Sequence, residues 1–170
     1  MIVIAVGSNL VADGFQTPLA TCEAAVARLA AEPGIAILAR SRWYESEPVP
    51  VSNQPWYVNG AICACSTLDP KALLERLHAI EASFGRVRRA RNEPRPLDLD
   101  LIDHHGQIRG GGDDGGPILP HPRAHERAFV LLPLAEIVPG WHHPVSGAGV
   151  AELIAMLPPG SPAIRPLEAG

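Results

Sequence analysis

Lysine is nearly missing from this 170-residue chain: Lys71 stands alone against thirteen arginines. It sits in Asp69-Pro70-Lys71 with no glycine run before it. That excludes a Walker A loop, in which a glycine-rich turn delivers a lysine to phosphate. Cysteine is scarce too, with Cys22, Cys63 and Cys65 only. Their number is odd and no CxxC or Cys/His zinc spacing occurs, so small buried thiols in a reducing cytoplasm are expected. No apolar run reaches the roughly 20 residues of a spanning helix. The opening MIVIAVGSNL is short, lacks a basic stretch before it, and reads as a strand, not a signal peptide. A soluble, cytoplasmic chain with no membrane partner is the expectation.

Other quantities bound the class. With 46% hydrophobic and 19% charged residues the chain is neither disordered by composition nor uniformly apolar, and its length suits a single domain over 1–170. Sixteen glycines and eighteen prolines predict long loops. The net charge of −4 argues against an unselective nucleic-acid binder, which needs a basic excess. One stretch runs the other way. Residues 86–95 hold Arg86, Arg88, Arg89, Arg91 and Arg95 against Glu93, so ten residues carry +4 and the other 160 carry −8. An acidic protein with one focused anion site follows.

The pattern of elements predicts an α+β fold. Ile2 to Val6 is an apolar, β-branched strand closed by Gly7-Ser8-Asn9. Thr17 and Pro18 open a helix that Pro33-Gly34 stops, and Ile35 to Tyr44 returns as a strand. Tyr57 to Cys65 alternates as a third strand. Asp69-Pro70 starts a second helix carrying Leu73, Leu77, Ile80 and Phe84, ended by Gly85, and Leu97 to Ile102 is a fourth strand. This βαββαβ order is the ferredoxin-like arrangement, an antiparallel sheet flanked by helices. Residues 105–117, with six glycines, read as a loop. His125 to Ile137 reads as a helical or mixed segment broken at Pro133, and Val150, Leu153, Ile154 and Leu157 as a short last helix.

Asp98-Leu99-Asp100 is the sharpest chemical signal. On a strand, residues two apart share a face about 6.6 Å apart, so both carboxylates project together while Leu97, Leu99 and Leu101 face a core. Such a hard oxygen pair suits Mg²⁺, which keeps waters and phosphate oxygens in its remaining positions; a solvated strand face is the alternative. The arginines just upstream favour the metal, because guanidinium forks match phosphate and carboxylates beside arginines are the parts of phosphoryl transfer. For Arg89 and Arg91 an exposed basic loop serves equally well. Tyr57 and Asn59 share one face of their strand and suit a flat heterocycle, the ring stacking and the amide exchanging hydrogen bonds; a core aromatic beside a strand-end amide is the alternative. Phe129 is a candidate for the opposing plane. His121 and His125 lie four apart, but no HExxH is present and zinc is not expected.

Taken together, VGSNL (6–10), YESEPV (44–49), QPWYVNGAI (54–62), IEASFGRVR (80–88), PRPLDLDLI (94–102) and LPHPRAHERAFVLLPLAEIVP (119–139) resemble the 6-hydroxymethyl-7,8-dihydropterin pyrophosphokinase family of the folate pathway. The resemblance implies pyrophosphoryl transfer from ATP to the pterin hydroxymethyl oxygen, with release of AMP, on a ferredoxin-like α/β/α sandwich using two Mg²⁺ ions. It implies that Asp98 and Asp100 hold the metals and that Arg86, Arg88 and Arg95 bind the triphosphate, with Arg86 and Arg95 joining the aspartates in catalysis. Tyr57 and Phe129 would sandwich the pterin, with Asn59, Ser46 and Val49 at its edge. His78, Glu81, Leu101, Ile118, His121 and Arg127 would line the nucleotide site. Where the family carries an aromatic and a glycine before Arg95, this chain reads Asn92-Glu93-Pro94. A monomer with ATP and pterin as its only partners is expected. Two rivals stand beside it: a transferase acting on nucleic acid, which would need a long basic track, and a binding module without turnover.

Overall fold

A computed structural model describes residues 1–86, 95–111 and 115–168. Strands β1 (Ile2–Ser8), β2 (Ile35–Arg40), β3 (Tyr44–Ser46), β4 (Tyr57–Ser66), β5 (Asp98–His104) and β6 (Ile164–Pro166) form one sheet, and the helices are α1 (Pro18–Ala30), α2 (Pro70–Ser83), α3 (Ala128–Ile137) and α4 (Val150–Ala155). The sheet order is β5-β1-β4-β3-β6, with β2 also against β4, and every pairing is antiparallel. The fold is therefore the expected α+β arrangement.

Local chemistry sets the helices on one face. The Thr17 side chain accepts from Ala20 N at 3.1 Å and Asp69 Oδ1 accepts from Ala72 N at 2.9 Å, each followed by proline at the first helical position. Gly34 and Gly85, at φ of 81° and 83°, follow the two helix ends in the left-handed region. Cys22, Ala25 and Leu29 of α1 and Leu73, Leu77 and Ile80 of α2 pack on Ile2, Ile4, Val6, Ile62, Leu99 and Leu101. Burying each large side chain contributes about 1.5–3 kcal/mol. The other face carries a second core, in which Val130, Leu131 and Leu134 of α3 and Val150 and Leu153 of α4 meet Val3 and Ile102.

Three elements differ from the sequence reading. The strand expected over residues 35–44 divides into β2 and β3, laid end to end along β4. Between them Ser41 exchanges bonds with Ala61, its N donating to the carbonyl and its Oγ accepting from the amide, both at 3.0 Å. Trp43 then crosses over Gly60, where a Cβ would meet its ring at 2.8 Å. Helix α3 runs unbroken through Pro133. The intrahelical bond that proline removes costs about 3 kcal/mol, which burial of Val130, Leu131 and Leu134 offsets. Finally, β6 forms in a proline-bearing tail, on the sheet edge where a missing N–H is tolerated.

Candidate active site

The α3/α4 face of the sheet is not covered throughout. Asp98 and Asn59 both pair with Gly7, and Asp100 and Ala61 both pair with Ala5. The middle strand thus offers small residues between polar ones, and a cavity of about 160 Å³ opens above them. A Cβ at Gly7 would stand 3.2 Å from Asn59 Oδ1 and 4.0 Å from Asp98 Cβ, so glycine keeps this floor open. Tyr57 and Asn59 rise from β4, Phe129 from the first turn of α3, and Ser46 to Pro50 form a further wall. Asn59, 4% exposed, donates from Nδ2 to Ser46 Oγ at 2.8 Å. Its amide is thereby oriented before any ligand arrives.

The carboxylates sit in a web of arginines. Asp98 Oδ1 accepts from Arg86 Nη1, and its Oδ2 lies 3.1 Å from Arg95 Nη1. Arg127 Nη1 is 4.0 Å from Asp100 Oδ2. Behind them Glu81, only 1% exposed, accepts from Arg86 Nη1 and, at 2.8 Å, from Leu99 N. Arg86 is thus held from below by Glu81 while it reaches Asp98. Arg95 is held through its backbone: its N donates to Asn9 Oδ1 at 2.9 Å and its carbonyl accepts from Asn9 N and Leu10 N. Among the described residues Nε of Arg95 and Nε of Arg127 are buried with no hydrogen-bond acceptor, which leaves two donors for an anion.

Electrostatics point the same way. Burial and the neighbouring Asp98 push the Asp100 carboxyl up to about 7, although Arg127 and Arg95 pull it down. Arg86, Arg95 and Arg127 together do not satisfy the pair, and a hard divalent cation fits it. No group of three or more His, Cys, Asp or Glu side chains gathers among the described residues, so the donor set suits an ion that keeps waters and phosphate oxygens rather than an all-protein cage. Burial would lower Arg95, but Asp98 and a hydrogen bond with Tyr57 outweigh it and hold the guanidinium above its ordinary value. Burial lowers Arg127, and Asp100 makes up only part of the loss. Burial, then Arg127, bring His121 down to about 4. Its Nδ1 accepts from Arg123 N at 3.2 Å, so neutral His121 carries its proton on Nε2 as a donor.

Nine expected residues line this one cavity: Ser46, Val49, Tyr57, Asn59, Arg95, Asp98, Asp100, Arg127 and Phe129. Arg86 and Glu81 stand directly behind it. His121 lies beside β5, its N donating to Ile102 O at 2.9 Å. Leu101 puts its side chain in the α1/α2 core, His78 is half-buried on α2, and Ile118 is exposed beside Gly111. None of these three lines the cavity. Arg88 and the loop 89–94 lie outside the described residues. Sequence reasoning missed Asn9, Ser52 and Gln54. Asn9 was visible as part of Gly7-Ser8-Asn9, but a turn explains that triplet fully, and its bond to Arg95 spans 86 positions.

Residues 3–139 match the model of the 7,8-dihydro-6-hydroxymethylpterin-pyrophosphokinase family. A 2-amino-4-hydroxy-6-hydroxymethyldihydropteridine pyrophosphokinase from Methylorubrum extorquens is 43% identical over 136 residues, covering 79% of this chain and 82% of that protein. Proteins of the same name from Synechocystis and Pseudomonas aeruginosa are 39% and 37% identical, covering 89% and 91% of this chain and 73% and 90% of their own lengths. No described helix is long and apolar enough to cross a membrane.

Proposed function

Because the chain belongs to the 7,8-dihydro-6-hydroxymethylpterin-pyrophosphokinase family, and so is an ATP-using pyrophosphokinase of folate synthesis, we propose that the cavity over Gly7 is where its pterin alcohol meets ATP. Tyr57 and Phe129 stack on the two faces of the pterin, and Asn59, oriented by Ser46, reads its edge with Val49 beside it. Asp98 and Asp100 hold Mg²⁺, two ions in our reading, which supply charge neutralisation on the phosphate oxygens when bound. Arg86, Arg95 and Arg127 clamp the triphosphate. Arg88, from its place in GRVR, joins them, and His78, Glu81, Leu101, Ile118 and His121 border the nucleotide.

The pterin hydroxymethyl oxygen attacks the β-phosphorus, the bond from that phosphorus to the α,β-bridging oxygen breaks, and AMP leaves as the alcohol proton is lost. Negative charge grows on the bridging oxygen, where the guanidiniums of the clamp stabilise it. Among the described residues that line the cavity there is no histidine or lysine to act as base, and positioning with electrostatics carries the step. The observation that supports this reading is the row Asn59–Gly7–Asp98: across adjacent strands the register brings the Asn59 amide and the Asp98 carboxylate to either side of Gly7. The whole of 1–170 acts as one unit, a monomer in the cytoplasm.

Incubating the protein with ATP, Mg²⁺ and the reduced pterin tests this. AMP and pterin diphosphate formed in equal amounts are expected. ADP, or pterin binding without turnover, would replace the reading with an ordinary kinase or a binding module.

A further inference from the structure

The wall of the cavity that includes Ser46 to Pro50 has little of its own to hold it. It leaves β3, a strand of three residues, and continues into an irregular stretch that rejoins the sheet only at Tyr57. One side of β3 is paired with β4, Ser46 opposite Tyr57. Short strands paired on a single side are marginal.

The other side is covered from a distance of about 120 positions. Strand β6, beyond the 3–139 span of the family match, pairs Tyr44 with Pro166, Glu45 with Arg165 and Ser46 with Ile164. The contact extends past the ladder. Glu47 N donates to Ala163 O at 3.0 Å, and Ala163 N returns a bond to Glu47 Oε2 at 2.8 Å. Below, Leu167 N donates to Trp43 O at 2.8 Å. Arg165 joins the two ends of the irregular stretch: its Nε donates to Glu45 Oε1, and its guanidinium lies 5.3 Å from the centre of the Trp56 ring. Arg165 and Glu45 are partly open to solvent, so their ion pair contributes little alone. The backbone ladder and the Glu47–Ala163 exchange are the stronger grip.

We propose that β6 is a positioning element for the pterin wall, with Ala163 and Arg165 as its positioning residues. It holds residues 45–49 in the shape that receives the heterocycle, so the free enzyme does not have to order them on binding. Asp98, Asp100, Arg86 and Arg95 are anchored on β5, α2 and Asn9 and do not depend on it. This inference rests on the assignment of that wall to the pterin.

The test measures KM for the pterin, KM for ATP and kcat in the full chain, in a chain ending at residue 160, and in Ala163→Pro, which removes the N–H given to Glu47. Loss of preorganisation predicts a pterin KM raised roughly tenfold in the shortened chain, and less in Ala163→Pro, with kcat and the ATP KM nearly unchanged. Emission of Trp56, followed with Trp43 and Trp141 replaced by Phe, shifts as Arg165 leaves it. Arg165→Glu with Glu45→Arg restores what Arg165→Glu alone loses. An unchanged pterin KM in both the shortened chain and Ala163→Pro overturns the proposal. If the shortened chain also melts earlier, Ala163→Pro at wild-type melting temperature decides, and equal rises in both KM values there count against it. A full chain that releases no AMP with the pterin removes the assignment of the wall, and this inference with it.

Discussion

Asn9 shows how a residue outside the chemistry can govern it. It is 1% exposed, and its Oδ1 is the acceptor for Arg95 N while its Nδ2 reaches Gln54 Oε1 at 3.3 Å. Asn9→Ala leaves the partly buried amide of Arg95 without that acceptor, a loss of about 1 kcal/mol. A misplaced Arg95 then lowers kcat about 10–100-fold. Calorimetry and initial rates check the two effects, and a lower melting point with full turnover would remove Asn9 from the positioning of Arg95. His121 makes a second prediction at this scale. Its folded pKa of about 4 lies below the ordinary 6.5, so the unfolded chain takes up the proton first as pH falls. The neutral ring's contribution is complete above pH 6.5 and is lost between 6.5 and 4. Urea midpoints of the wild type and His121→Gln at pH 7.5 and 4.5 should converge toward acid. A constant gap between the two proteins across that range would contradict the shift.

At the scale of elements, what was legible depended on whether the deciding force was local. Proline after a capping side chain at Thr17 and Asp69 marked both first helices, because caps act within four residues. The alternation of Leu97, Leu99 and Leu101 with Asp98 and Asp100 marked the inner and outer faces of β5. The division of β2 from β3, the survival of α3 through Pro133 and the existence of β6 depend on partners far away in sequence, and no short window contains them. Gly60 belongs to this second class. Nothing in Tyr57 to Cys65 distinguishes it from another alternating residue, yet it admits Trp43, and its Cβ would stand 2.8 Å from two carbons of the indole. Trp43 is buried in the α1/α2 core and cannot swing aside freely. Gly60→Ala should cost about 1–3 kcal/mol by overpacking, read as an earlier thermal transition, and should weaken pterin binding because Asn59 is its neighbour on β4. An alanine variant of full stability would show that β2 and β3 are not held by this crossing.

For the molecule as a whole, the net charge of −4 resolves into an acidic body around one guanidinium-rich site. The residue types of that site were legible because carboxylate spacing on a strand and a run of arginines are local signals. The pairing among them was not, since Arg86 meets Asp98 and Arg127 meets Asp100 only through the fold. That pairing has a thermodynamic consequence. Arg86 and Arg95 are engaged by Asp98, and Asp100 is held up to about 7 by burial and by Asp98. A triphosphate draws the arginines toward its own oxygens and leaves Asp98 short of positive charge; Mg²⁺ at the carboxylates in turn frees the arginines. Each ligand therefore removes a cost that the other would meet, and their binding is coupled reciprocally. A non-hydrolysable ATP analogue with Mg²⁺, at about one hundred times its Kd, should stabilise the fold by ~2.7 kcal/mol and raise the melting temperature by about 5–10 °C. Either ligand alone should give much less than half of that shift, and chelating the metal should return the protein to its nucleotide-only value. In Asp98→Ala, Arg95 and Arg86 are released from that carboxylate, Arg86 keeping only its bond to Glu81, so the analogue alone should bind at least as well as in the wild type, while added Mg²⁺ contributes little. Simple additivity of the two shifts in the wild type would mean that the carboxylates and the arginines act as separate sites.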